Sequence, residues 1–316
     1  MKSPTISIVV SVYNEAEGLT AFWTALKKSL SECVDFNFEI LWINDGSVDE
    51  SQSIIQSICA GPTPENSGHV QIEFSKNFGH EAAMLAGMDT ASGEAILCMD
   101  ADQQHPPSSI TEMLHAYRSG ADIVLMQRTS RRDASVLHRF FSTLFYRLIN
   151  ALSSFRFQSN ATDFFLVSYR VAEVLRKSFR ERNRFLRGFI QSLGFEKKVL
   201  YFEAPARAYG ESHYSYYRLT KLALNAIFTF SNKPLRLSIL IAVLFVLFTL
   251  AFGAYSIYQY LFGNTPPSGY TSIILFLSVS FSLLFILLTI FFLYFEKVLD
   301  EMRQRPIYII KNLKRS

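Results

Sequence analysis

Residues 95–107 read AILCMDADQQHPP, and the fold is legible from the way this stretch changes character halfway along. Ala95 to Met99 are uncharged and apolar with turn chemistry on either side, the pattern of a strand buried on both faces. Asp100 and Asp102 follow at its carboxyl end, with Gln104 just beyond. A strand of that kind belongs to a sheet covered by helices on both sides, and in such open sheets ligands bind outside the carboxyl ends of the strands. A D-x-D placed there offers carboxylate oxygens to a hard divalent cation, with the Gln104 amide oxygen as a third donor. In isolation the same pattern is a solvated acidic turn, so the surrounding chain decides between the two.

Upstream, ISIVVSV at 6–12 predicts a first strand, followed by Tyr13-Asn14-Glu15 and an amphipathic helix to about Leu30. FEILWIN at 38–44 predicts a second strand ending in Asp45-Gly46-Ser47, and a helix spans 49–59. A loop at 61–68, a strand at 70–74 and a helix at 80–91 lead into the quoted stretch, after which a helix at 107–117 and a strand at 123–127 continue the alternation. Strands alternating with helices predict an α/β fold with a doubly wound, mostly parallel sheet. Its carboxyl edge then gathers Tyr13, Asn14 and Glu15, Asp45, and Asp100 with Asp102. Neither a G-x-G-x-x-G nor a Walker loop is present, so an acidic cluster stands where a glycine cradle would hold phosphate, and a metal ion is expected to carry a diphosphate's charge.

Downstream the chain turns toward a membrane. Val136, Leu137, Phe140, Phe141, Leu144, Phe145, Leu148, Ile149 and Leu152 form one stripe within 134–155, opposite His138, Arg139 and Arg147, which predicts an amphipathic helix lying in a membrane interface. An arginine-rich stretch, ERNRFLRG at 181–188, a strand at 198–203 and a polar loop, GESHYS at 210–215, precede a further apolar segment at 219–230. Runs 237–262 and 270–295 contain no charged residue, and each exceeds the ~20 residues that cross a bilayer as a helix. Lys233 and Arg236 flank the first run, Arg303, Arg305, Lys311, Lys314 and Arg315 follow the second, and the connector carries no basic residue. By the positive-inside rule both flanks are cytoplasmic. The expected organisation is a cytosolic catalytic domain over 1–210, a juxtamembrane segment over 211–233, transmembrane helices over 234–262 and 270–296, and a basic cytoplasmic tail over 297–316. No secretory signal is expected, because Met1-Lys2 leads into an ordinary strand. Cys33, Cys59 and Cys98 lack metal or disulfide spacing, and a net charge of +4 without a dense basic tract points away from nucleic acid and toward a membrane surface.

Taken together, these residues resemble the polyprenyl-phosphate glycosyltransferases, the branch of glycosyltransferase family 2 with the dolichyl-phosphate mannose synthases and the bactoprenol glucosyltransferases. VYNE at 12–15, NDGSVD at 44–49, SKNFGHEAAMLAG at 75–87, DADQQHPP at 100–107, ERNRFLRG and GESHYS occur in that family's order and spacing, and RPIYII at 305–310 resembles its usual ending. The resemblance implies a glycosyltransferase A-like fold in a bacterial plasma membrane and inverting transfer of one sugar from a nucleotide sugar to a polyprenyl phosphate. UDP is favoured as the nucleotide, with GDP open. It further implies that Tyr13, Glu15, Asp45 and Asn77 contact the nucleotide sugar, and that Asp100 approaches the donor. Asp102 and Gln104 would hold Mg²⁺ or Mn²⁺, while Arg128, Arg187 and His213 face the acceptor phosphate.

Several positions depart from that family's pattern. Asn44, Gln103 and Ser11 replace a frequent aspartate, leucine and proline, and Phe165 follows an Asp-Phe pair where arginine is common. His213 and His80 stand where lysine is usual, and a neutral imidazole supplies no permanent charge to a phosphate near pH 7. A catalytically silent membrane scaffold or flippase-assembly subunit would show a damaged D-x-D, whereas Asp100, Asp102 and Gln104 are all present. Processive polymerases carry a Q-x-x-R-W motif and more spans, and neither is found. With two helices, a transport path through the membrane would require a homo-oligomer.

Overall fold

Strand β1 (Thr5–Val12) is buried from Ile6 to Val12 and pairs in parallel with β2 (Asn37–Asn44) on one side and β4 (Ala95–Asp100) on the other. This computed structural model describes residues 3–129, 161–182, 186–203, 233–262 and 269–315, which divide between two units. The first unit holds the described residues up to 203 together with 305–315, and the second holds 233–262 and 269–304.

Parallel neighbours require a crossover, and in the first unit helices supply it. Helix α1 (Ala16–Ser31) lays Leu19, Phe22, Leu26 and Leu30 along one stripe against the sheet. Helix α2 (Ser51–Ala60) leads to β3 (Ser67–Phe74), and α3 (His80–Thr90) leads to β4. Helix α3 is buried from Ala82 through Met88, and a Cβ on Gly87 would come within 2.1 Å of Val9 Cγ1. That close approach fixes the helix on β1.

A 3-10 turn (Pro107–Ser109) and α4 (Ile110–Arg118) connect to β5 (Ile123–Arg128). The next strand, β6 (Ala161–Ser168), inserts between β4 and β5 and runs antiparallel to both. Helices α5 (Tyr169–Ser178) and α6 (Leu186–Ser192) precede β7 (Lys197–Phe202), which is parallel to β5. The sheet order is β7-β5-β6-β4-β1-β2-β3-β8. Strand order reverses between β1 and β4, which makes their carboxyl ends a topological switch point. Because β6 is antiparallel, its amino end reaches the same edge.

The reading of 297–316 as a basic tail is corrected by β8 (Ile310–Arg315), which pairs antiparallel with β3. An edge strand presents unpaired N–H and C=O groups, and here the chain's own end covers them. Lys311 and Asn312 both bond Glu73, while the Tyr308 ring stacks on Phe74 at 5.3 Å and its hydroxyl donates to Asp89 Oδ2 at 2.6 Å. Deep in the core, the Trp42 indole N–H donates to His69 Nδ1 at 3.1 Å, which gives the buried indole its acceptor.

The second unit contains α7 (Lys233–Phe262) and α8 (Tyr270–Met302), which meet where Phe276 stacks on Phe252 at 5.4 Å. Leu235–Gln259 and Ser272–Met302 have mean hydropathies of 2.7 and 2.8, so each is long and apolar enough to cross a membrane. Helix α8 runs past residue 296, where the second span was expected to stop. The expected interface helix over 134–155 and the juxtamembrane segment up to residue 232 lie outside the described residues.

Candidate active site

On the β2 side of β1, two strand-end loops are laced together. The Asn14 backbone adopts φ +55°, its N–H donates to Ser47 Oγ at 3.0 Å, and its Oδ1 accepts the Val48 N–H at 2.9 Å. The Glu15 N–H donates to Ser51 Oγ and the Ala16 N–H to Asp49 Oδ2. Beside this lacing Tyr13 stands 44% exposed at the end of β1. Asp45, at the end of β2, is 1% exposed and accepts the Phe78 N–H at 2.7 Å and the Gly79 N–H at 2.9 Å, one on each oxygen. Burial raises its pKa against the pull of those two donors and of His80. Gly46 follows with φ +68°, and a Cβ there would sit 2.3 Å from the Lys76 carbonyl carbon. The 45–46 turn is therefore seated on the loop that carries Asn77, itself exposed.

On the β4 side Asp100 and Asp163 face side-chain cations. Asp100 Oδ1 lies 3.2 Å from His80 Nδ1, and the same imidazole nitrogen is 3.1 Å from Ser11 Oγ. Across the antiparallel strand, Asp163 Oδ2 is 3.5 Å from His80 Nε2 and its Oδ1 is 2.9 Å from Arg187 Nε. Burial works against a charge on His80, but Asp100 and Asp163 outweigh it and push its pKa up to about 10. Asp100 is raised to about 7, first by burial and then by its neighbours Asp163 and Asp102, against the opposing pull of His80. Asp163 is lowered despite burial, chiefly by Arg187 and His80. Glu81 lies next to this cluster, its pKa raised by burial and by Asp163, and it accepts the Leu186 N–H at 2.8 Å. His105 is 2% exposed and accepts the Asp100 N–H at Nδ1, and burial lowers its pKa to about 3. It is a neutral structural imidazole, stacked on Phe164 at 5.1 Å.

Beyond Asp100 the chain turns sharply, with Gln103 at φ +61°. Asp102 Oδ1 accepts the Gln104 N–H at 3.0 Å, and the Gln104 Oε1 expected to face a metal accepts from Arg128 Nη2 at 2.6 Å. Two residues read as serving different ligands therefore hold one another. Among the described residues, no three His, Cys, Asp or Glu side chains converge as a metal site by themselves. The donor set nonetheless fits Mg²⁺ or Mn²⁺ held by one carboxylate and completed by diphosphate oxygens, the arrangement in which Mg²⁺ is commonly bound with a phosphate substrate.

The structure thus gathers Tyr13, Glu15, Asp100, Asp102, Gln104, Arg128 and Arg187 at one sheet edge, buries Asp45 beneath it, and leaves His213 outside the described residues. Sequence reasoning does not single out Asp163, which joins the site only through the pairing of β6 with β4. Its signal was a lone carboxylate entering a strand that is otherwise apolar from Phe164 to Val167.

An open, mostly parallel sheet with a D-x-D beside its switch point defines the glycosyltransferase A-like class. The pattern described as Glycosyl transferase family 2 matches residues 7–176, more than half of the chain. The chain is 33% identical over 309 residues to the bactoprenol glucosyl transferase of Shigella phage SfV, covering 98% of this chain and 99% of that one. It is 31% identical over 306 residues to the uncharacterized glycosyltransferase YkcC of Bacillus subtilis (strain 168), covering 96% and 93%. Among solved structures it is similar to glucosyl-3-phosphoglycerate synthase from Mycobacterium tuberculosis in complex with Mn²⁺, UDP-glucose and phosphoglyceric acid, with a TM-score of 0.45 at 16% identity over 72% of this chain and 78% of that one. The protein belongs to glycosyl transferase family 2.

Proposed function

We propose that this glycosyltransferase moves one sugar from a nucleotide diphosphate sugar, most readily a UDP-sugar, to a polyprenyl phosphate at a membrane surface. One observation carries the reading: Asp100, Asp102 and Asp163 meet at the switch point of a sheet whose chain also holds two helices fit to cross a bilayer. The near full-length likeness to a bactoprenol glucosyl transferase supports the lipid acceptor. The pairing of β8 with β3 supports a two-span topology, because a chain that leaves the first unit's sheet after β7 and returns to it at β8 crosses the membrane an even number of times in between.

A lipid phosphomonoester has a second pKa of ~6 and is already largely ionised at neutral pH, so it needs no strong base to become a nucleophile. In the proposed step a phosphate oxygen bonds to the anomeric carbon as the bond to the diphosphate oxygen breaks, which inverts the configuration. Bound Mg²⁺ or Mn²⁺ supplies neutralisation of the departing diphosphate. Asp102, with Gln104 once it releases Arg128, would hold that ion. Tyr13, Glu15 and Asn77 orient the nucleotide, and Asp100 faces the sugar. Asp45, buried, acts on the nucleotide through the loop that it holds. Arg128 and Arg187 bring positive charge to the acceptor phosphate, joined in this reading by His213.

The test is formation of a chloroform-soluble labelled product by full-length protein in detergent, with undecaprenyl phosphate, Mg²⁺ or Mn²⁺ and a panel of UDP- and GDP-sugars. One donor giving a chelator-sensitive product is the expected result. Failure of every donor, or transfer only to water-soluble acceptors, overturns the reading.

A further inference from the structure

Asp100 and Asp163 stand on neighbouring antiparallel strands. Cys98 pairs with Phe165, and two further steps of that register set Asp100 opposite Asp163 on the same face of the sheet. Like charges directly opposite one another across a strand pair destabilise it. The imidazole of His80 spans the pair, with Nδ1 3.2 Å from Asp100 and Nε2 3.5 Å from Asp163, while Ser11 Oγ meets Nδ1 from β1. Arg187 closes the far side of Asp163 at 2.9 Å.

The ring is held in place from two directions. His80 is the first residue of α3, which is fixed on β1 by the fit of Gly87 against Val9. It directly follows Gly79, at φ +96°, whose N–H is bound by Asp45. The sequence marks this position as a histidine in NFGHE where the resembled family usually has lysine, and the bridge is visible only once β6 is seen to lie beside β4.

We propose that His80 is a positioning residue for the transfer, a cationic strut that holds Asp100 and Asp163 side by side and presents the Asp100 carboxylate to the crevice in one orientation. The strut is a matter of geometry, whereas its effect on turnover rests on the function proposed above. Lysine supplies the cation on a flexible stem, while glutamine supplies a hydrogen bond without it.

The experiment uses full-length protein in detergent as wild type, His80→Lys, His80→Gln and the double variant His80→Gln/Asp163→Asn, each measured for kcat, acceptor KM and unfolding midpoint. His80→Gln should lower kcat about a hundredfold, as expected for a misplaced reacting group, with acceptor KM little changed. His80→Lys should recover most of that loss, a rescue that a purely structural role would not give. Adding Asp163→Asn should raise the midpoint of His80→Gln, because removing one of the two facing charges relieves the repulsion that the strut offsets. Wild-type kcat in His80→Gln, or a midpoint that Asp163→Asn lowers further, overturns the proposal. Should His80→Gln not accumulate folded, recovery of the double variant supports the strut and its failure to fold overturns it. If wild type transfers no sugar to lipid, the proposed function fails, and the midpoints alone decide the strut.

Discussion

Asp45 and Asp100 end the two parallel strands that flank β1, and in sequence they look alike, each closing an apolar run. The structure gives them opposite partners. Asp45 is 1% exposed with its oxygens on two backbone N–H groups, fixed dipoles that no ligand displaces cheaply. Asp100 keeps a quarter of its side chain exposed and is balanced by a side-chain cation, His80. A carboxylate with both oxygens on backbone N–H groups is committed to holding a loop, whereas one balanced by a side chain at an open edge keeps part of its surface toward the crevice. Burial raises the pKa of both, so it is the partner that separates them.

The largest effect that sharpens this contrast belongs to the open edge. Asp102→Asn is expected to lower transfer by about 10³-fold with the unfolding midpoint within a few degrees of wild type, checked by lipid-product assay and thermal scans. Wild-type turnover in that variant would remove the metal role. On the scaffold side, Asp45→Ala leaves the Phe78 and Gly79 N–H groups without their acceptor and should cost about 2–4 kcal/mol of stability, measured by chemical unfolding. Gly46→Ala should also destabilise, since the added Cβ meets Lys76 at 2.3 Å in a left-handed backbone.

Two histidines repeat the contrast at smaller scale. His80 is held charged between carboxylates, whereas burial holds His69 neutral with a pKa lowered to about 4. The unfolded chain binds a proton at an ordinary histidine pKa of about 6.5, so the stability associated with neutral His69 is full above that value and is lost as pH falls toward 4. By pH 5 the loss is about 2 kcal/mol. His69→Gln keeps an acceptor for the Trp42 indole and should flatten that part of the acid dependence, read from unfolding midpoints between pH 7.5 and 5. The smallest effect is expected at the chain's end. Tyr308→Phe retains the stack on Phe74 but loses the bond to Asp89, which should cost about 1 kcal/mol and leave transfer unchanged in the same two assays.

Much of this was legible before any coordinates. Apolar runs closing on polar residues located β1, β2 and β4 to within a residue or two, because strands buried on both faces carry an uninterrupted pattern. The strand that escaped is one placed by long-range pairing. Strand β8 is exposed along its length and reads as a basic tail, since only the free edge of β3 makes it a strand. Asp163 belongs to the site because β6 runs backward between β4 and β5, a topology that no local pattern encodes. Partner choice was equally hidden, since no local pattern shows that Asp45 holds the Phe78 and Gly79 N–H groups or that Gln104 Oε1 faces Arg128.

The most direct test is a single-turnover measurement of sugar transfer to undecaprenyl phosphate by Asp100→Asn and Asp45→Asn side by side, each with its unfolding midpoint. The account predicts that Asp100→Asn keeps its fold and transfers about 10²–10³-fold more slowly, while Asp45→Asn loses stability and keeps near wild-type chemistry in the folded fraction. Normal transfer by Asp100→Asn, or a stable but inactive Asp45→Asn, would contradict it.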